Sequence, residues 1–202
     1  MRTPKIEALH RMIRWFNLKY DYKIPLLDLD HSLLNSNSWL SGFIDADGSF
    51  YLNWLYDKKG KATSLQYYMR ISQRQVYHRG NAPYFSIMSN ISNFFSVPLR
   101  SRERKRNNYV EKSYEVRTGS YISNYILLSY LINYPLFSYK FRAVPVQIEL
   151  LQMSISKEYK LDSGLAKLLS LKEKQNFKSN LELGAYSYDK DHLDHILKNF
   201  PF

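Results

Sequence analysis

The chain has 202 residues, 45% of them hydrophobic, and its 29 lysines and arginines outweigh 18 aspartates and glutamates to leave a formal charge of +11. That length allows one core of ordinary size with appendages, and the cationic surplus points to a polyanionic partner, most simply nucleic acid. The lack of cysteine excludes disulfides, thiol catalysis and Cys-based zinc sites. No apolar run reaches the roughly 18 residues of a membrane span, so no membrane partner is expected, and Met1 to Lys5 has no apolar signal region.

In chain order, Thr3 is placed to cap a helix over 3–17 with Pro4 at its first position. Ile6, Leu9, Ile13 and Phe16 recur on one face of it, and His10 reads as a packed or surface histidine beside them. Pro25, Asp28, Asp30, His31 and the run Asn35 to Ser38 mark 18–37 as a linker. An apolar helix then starts at Trp39, with Ser38 as its cap. It ends at Asp47, because Gly48 suits the left-handed residue that closes many helices. Gly42 and Ala46 share a face and leave room for another helix to come close. Asp47 sits in the last turn, where the helix dipole disfavours a carboxylate, so it asks for a cation.

Ser49 to Tyr56 alternates as a strand, and Asp57 to Lys61 is a turn. Residues 64–74 form a second strand with Tyr67, Met69 and Ile71 on one face and Gln66, Tyr68, Arg70 and Ser72 on the other. A helix over 83–96 presents Phe85, Met88, Ile91 and Phe95. In the basic run after it, Arg100, Arg102 and Arg104 share a strand face. Asn107-Asn108 turns the chain back through Tyr109 to Arg117, with Val110, Tyr114 and Val116 apolar. A helix over 120–133 offers Tyr121, Ile122, Tyr125, Leu128 and Leu131 for packing. After a break at Tyr134 to Lys140 another helix runs to about Met153, and a last one spans 163–176. Composition and pattern alone give an α+β chain with an antiparallel sheet.

Leu40-Ser41-Gly42-Phe43-Ile44-Asp45-Ala46-Asp47-Gly48 resembles the nine-residue signature of the LAGLIDADG homing endonucleases, with Ser for the first Ala and Phe for the second Leu. The likeness is strong over 36–153. It implies the αββαββα LAGLIDADG fold with a four-stranded nucleic-acid-binding sheet, and divides the chain into an N-terminal helix and linker (1–35), a core domain (36–153) and a C-terminal helical extension (154–202). It also implies a divalent metal, Mg²⁺, held at Asp47 and Gly48. Ile71-Ser72-Gln73 is similar to the family segment whose final Gln orders active-site water. Pro135 to Lys140 is similar to the segment whose Lys lies near the scissile phosphate. Asp47, Gln73 and Lys140 are therefore the expected catalytic residues.

Helical geometry makes this half a site. Asp45 lies about 200° around the helix from Asp47, so the two acids do not address one metal from one face. In the family a second signature helix supplies the matching acid through a contact made here by Leu40, Gly42, Phe43 and Ala46. The chain shows one signature; Leu183-Gly184-Ala185 is faintly similar but lacks an acid before a glycine. A homodimer, or a second LAGLIDADG chain, is the expected completion, and the chain resembles the C-terminal half of a two-motif ancestor. The expected nucleic-acid face carries Ser49, Tyr51, Asn53, Gln66, Tyr68, Arg70, Arg100, Arg102, Arg104, Ser113, Glu115 and Arg117, with Lys58, Lys59 and Lys61 on phosphates. Site-specific cleavage of DNA is the expected activity. The alternative is a non-cleaving protein of the same fold that holds structured RNA, as a group I intron maturase or a component of an assembly such as a mitochondrial ribosome. Usage rich in Tyr, Phe, Asn, Ile and Lys fits AT-rich coding DNA, so a mitochondrial, intron-borne gene is expected.

Overall fold

Three runs of alternating apolar and polar residues and one wholly polar run pair into one antiparallel sheet in a computed structural model that describes residues 1–176, with Asp191 and His195; Leu183 to Ala185 lie outside the described residues. The strands are β1 (Gly48–Tyr56), β2 (Ala62–Arg74), β3 (Arg100–Lys105) and β4 (Val110–Arg117), in the order β1-β2-β4-β3. The helices are α1 (Ile6–Tyr20), α2 (Trp39–Asp47), α3 (Phe85–Phe94), α4 (Tyr121–Asn133), α5 (Ala143–Ser156) and α6 (Gly164–Asn176). From α2 to α4 the order is the αββαββα expected from the signature.

One face of the sheet is covered and the other is open. Leu52 and Trp54 of β1, Tyr67, Met69 and Ile71 of β2 and Val116 of β4 join a core with Leu40 and Ile44 of α2, Met88 and Ile91 of α3, Leu127, Leu128 and Leu131 of α4 and Leu150 and Leu151 of α5. Each buried Leu or Ile contributes roughly 1.5–3 kcal/mol relative to exposure, which fixes the register, since a one-residue slip would turn these side chains to water. β3 has no buried residue. It is one of the two edge strands, and its row of charges discourages pairing with another chain.

Local chemistry explains the joints. Asp57 accepts hydrogen bonds from the N–H groups of Lys59 (2.8 Å) and Lys61 (2.9 Å) in the β1–β2 turn, where Gly60 takes a φ of 80° that only glycine adopts freely. Ser120 and Ser123 form a reciprocal capping box on α4. Just before it, Thr118 Oγ1 accepts from Met69 N–H (3.0 Å) and donates to Asn124 Oδ1 (3.0 Å), so the Met69 N–H stays satisfied where the chain leaves the sheet. α2 is tied to α4 and beyond: Ser41 N–H donates to Tyr130 Oη (3.0 Å) and Ser41 Oγ to the Pro135 carbonyl (2.9 Å).

Several expectations change. Ser38 makes no side-chain cap; Asn37 Oδ1 accepts from Trp39 N–H instead (3.0 Å). Gly48 is extended (φ −76°, ψ 151°), not left-handed. Glycine is required there because a Cβ would fall 2.6 Å from the Ile44 carbonyl oxygen. Phe85, Val110, Tyr121 and Ile122 are exposed, while Ile87 and Leu127 take the buried positions. Helix α1 starts at Ile6 without a side-chain cap and buries only Ile13. The expected linker is a strap folded back along it. His10 Nε2 meets the Leu27 carbonyl at 2.8 Å and Asn17 bonds both ways with Ile24. Arg2 donates to Asp30 Oδ2 (3.0 Å) and to the Ser32 carbonyl (2.8 Å), and its guanidinium lies 5.4 Å from the Trp39 ring. The boundary expected after 153 falls inside α5, and Leu168 and Leu171 of α6 belong to the same core.

Candidate active site and nucleic-acid interface

Three elements converge on the C-terminal end of α2. Asp47 is exposed there, and Gln73, at the end of β2, donates from Nε2 to Asp47 Oδ2 at 2.7 Å. Asp47 Oδ1 has no hydrogen-bond partner among the described residues. Lys140 arrives on a short 3-10 helix (Tyr139–Arg142) and donates from Nζ to the carbonyls of Asp45 (2.6 Å) and Ile44 (3.3 Å). It thereby satisfies acceptors that every helix end leaves open. Burial lowers the Lys140 pKa from its ordinary value, against the opposing charges of Asp45 and Asp47. The expected trio is thus assembled at one helix end.

Asp45 performs a task that no motif indicated. Its carboxylate points away from Asp47 and accepts from Phe137 N–H (2.6 Å), Ser138 N–H (3.2 Å) and Ser138 Oγ (2.5 Å). Ser138 in turn caps the 3-10 helix that carries Lys140. The two-residue offset from Asp47 was visible, but the identity of its partners was not. A groove of about 460 Å³ beside Asp47 is also lined by Lys5, Arg74, His78 and Tyr84. Of these only Arg74 had a signal, the continued alternation of β2 past Arg70.

Among the described residues, no group of three or more His, Cys, Asp or Glu could hold a metal. One carboxylate is still a sound half-set for Mg²⁺, which takes one or two carboxylates and keeps several waters. Gly48 has only main-chain atoms to offer, and its N–H already donates to the Ile44 carbonyl. Of the residues expected to meet a second helix, Gly42 and Ala46 are exposed and Phe43 is partly exposed, stacked on Trp39 at 5.0 Å. Leu40 faces inward and is fully buried, so it belongs to the core and not to that contact.

The register places the expected nucleic-acid residues on one face. Ser49, Tyr51 and Asn53 stand opposite Arg70, Tyr68 and Gln66; Arg70 is opposite Arg117 and Ser72 opposite Glu115; Arg100, Arg102 and Arg104 are opposite Glu115, Ser113 and Glu111. Two members behave differently from expectation. Glu115 is only 3% exposed and is paired with Arg102 (2.9 Å) and Arg117 (3.2 Å), so it is not a free base-reading group. Lys61 pairs with Asp162 at 2.7 Å, which raises its pKa and ties the β1–β2 turn to the segment before α6. Lys58 and Lys59 are exposed. The Tyr51 and Tyr68 rings stack at 4.6 Å, with the Arg117 guanidinium 4.2 Å from the Tyr68 ring.

The chain is similar to known proteins in sequence and in fold. The family model described as LAGLIDADG endonuclease matches residues 40–144, more than half of the chain. The intron-encoded DNA endonuclease aI3 of Saccharomyces cerevisiae is 34% identical over 166 residues, covering 69% of this chain and 40% of the relative. The chain thus spans about two fifths of that relative's length. In fold, it is similar to the homing endonuclease I-TnaI, with a TM-score of 0.53 and 20% identity over 79% of this chain and 94% of the other. It is similar also to the I-LtrWI LAGLIDADG homing endonuclease bound to target DNA, with a TM-score of 0.58 and 17% identity over 83% of this chain and 58% of the other. The chain belongs to the LAGLIDADG endonuclease family.

Proposed function

We propose that the protein is a site-specific DNA endonuclease that hydrolyses phosphodiesters with a divalent metal, at a site completed by a second copy of α2 in a homodimer. The observation that carries the reading is the convergence of Gln73 and Lys140 on the end of α2 that bears Asp47. A protein that only binds has no use for this assembly. For that reason cleavage is favoured over the holding of structured RNA. The proposed nucleic-acid face is the open side of the sheet, and the exposed Gly42 and Ala46 support the approach of a partner helix.

Asp47, with the Gly48 main chain, would hold the metal, which is Mg²⁺ in this reading. When bound, that ion supplies an acidified water and neutralises charge on the phosphoryl oxygens. The chain's own groups do the rest. Gln73 holds the Asp47 carboxylate in one orientation through Oδ2 and leaves Oδ1 available. Lys140, fixed by two carbonyls, keeps a cation at the helix end, where negative charge develops on the phosphate. Its partial burial makes proton release easier than for a free lysine. Asp45 positions Lys140 through the Phe137–Ser138 turn. An intron-borne gene in an AT-rich organelle genome, hence a mitochondrial protein, accords with the Tyr- and Phe-rich composition and with the intron-encoded relative.

The test is incubation of the protein with Mg²⁺ and plasmids carrying intron-junction sequences, beside Asp47→Asn. Metal-dependent double-strand cutting by the wild type and none by the variant is the expected result. No cutting of any duplex, with tight binding of structured RNA, would overturn the reading in favour of the RNA-holding alternative.

A further inference from the structure

We infer that Glu115 is a positioning residue that presets Arg117 to read a guanine in the major groove, making one G·C pair in each half-site of the target indispensable. The inference rests on the proposed reading of duplex DNA by the open sheet face and goes on to name a base. A single connected array crosses that face from edge to edge: Tyr51 on β1, Tyr68 on β2, Arg117 and Glu115 on β4 and Arg102 on β3. The other expected face residues have no comparable array of ring and ion-pair contacts around them.

A buried carboxylate on a surface otherwise open to water is an odd choice for stability, because desolvating a charge is unfavourable and an apolar side chain of similar size often serves as well. What Glu115 does achieve is orientation. It holds Arg102 and Arg117 through one oxygen, Oε1, in ion pairs without the alignment of a hydrogen bond. Arg117 is therefore fixed twice, by the Tyr68 ring against one face of its guanidinium and by Glu115 at Nη2. Its Nε–H is buried, out of reach of DNA and without a hydrogen-bond partner among the described residues, but the side chain is 26% exposed. The terminal Nη1 and Nη2 groups of a guanidinium held in one plane are therefore left for a planar pair of acceptors. In the major groove, guanine O6 and N7 provide that pair. Because the side chain is ordered before DNA arrives, little rotamer freedom remains to be lost on binding.

The experiment selects duplexes from a randomised DNA library with the full chain in metal-free buffer. It then compares the selected duplex with its single-base-pair variants and with unselected DNA. For the wild type we expect one invariant G·C pair in each half-site, and replacement of either weakens binding about ten- to a hundredfold. Glu115→Gln should lose most of that discrimination while its affinity for unselected DNA holds or rises, since a negative charge leaves the face. Arg117→Lys, which keeps the charge and loses the planar fork, should lose the same discrimination. A purely structural glutamate would instead weaken binding to every duplex alike. That result, or full discrimination kept by Glu115→Gln, would overturn the inference while leaving the endonuclease reading intact. Failure to enrich any duplex would overturn both.

Discussion

Asp45 and Asp47 are two residues apart on one helix and meet different surroundings. Asp47 is exposed and touched by one amide, while Asp45 is half-buried and accepts three donors from the Phe137–Ser138 turn. Their substitutions should therefore separate. Gln73→Ala frees the Asp47 carboxylate without removing it. Losing such an orienting partner costs about 10- to 100-fold in activity or metal affinity, so cleavage should fall by that factor with the melting temperature unchanged. A Gln73→Ala enzyme of full activity would show that the 2.7 Å contact is incidental. Asp45→Ala should act mainly on stability. Loss of a charged acceptor for these bonds should cost roughly 2 kcal/mol in urea unfolding, and cleavage should drop with it as Lys140 loses its support. At this scale the family resemblance pointed to Asp47, Gln73 and Lys140, and the fold brings these three to one helix end. The tasks of Asp45 and Glu115 were not legible in the sequence, because each depends on partners far away in the chain or across strands.

Among the elements, the αββαββα order was readable because alternation and helical spacing each follow from which face meets the core. The helix ends were not readable. Ser38 is a good cap by residue type, yet Asn37 holds that position, and Gly48 is explained by the crowding of Ile44 and not by a left-handed turn. The strap after α1 looked like a linker because its residues are polar, and only the fold brings Asp30 to the buried Arg2. Hydrogen bonds from Ser32, aided by Arg2, lower the Asp30 pKa from 3.8 to about 2. A depressed carboxylate contributes stability that is present above its unfolded value and is lost as pH falls through the folded one. Pepsin should therefore begin to cut the strap of the wild type only as pH falls from 3.8 toward about 2, whereas Asp30→Asn should be cut already at the upper end. Equal cutting of the two proteins across that window would remove Asp30 from the account. α2 allows a sharper experiment. A Cβ at Gly42 meets nothing within 4 Å, and replacing a mid-helix glycine gains up to about 1 kcal/mol of helix propensity. Gly42→Leu should thus fold at least as well as the wild type but sediment as a monomer. Retained dimerisation would show that α2 does not meet its partner through this face.

For the whole molecule, the covered and open faces of the sheet divide the work. The covered face fixes the register, and the register gathers a cationic surface on the other side of a chain with a net charge of +11. The proposed active site belongs to neither face but to the end of α2, and a single chain brings one exposed acid, Asp47, to it. In the proposed mechanism two Asp47 carboxylates from two chains make one cleavage site. Mixing wild type with Asp47→Asn at fixed total protein, on a cleavable duplex, tests this directly. With random pairing in an equal mixture, roughly a quarter of the dimers carry both acids. The rate of double-strand cutting should fall to that fraction of the wild-type rate. A fall to one half would mean that each chain cuts on its own, and would contradict the claim.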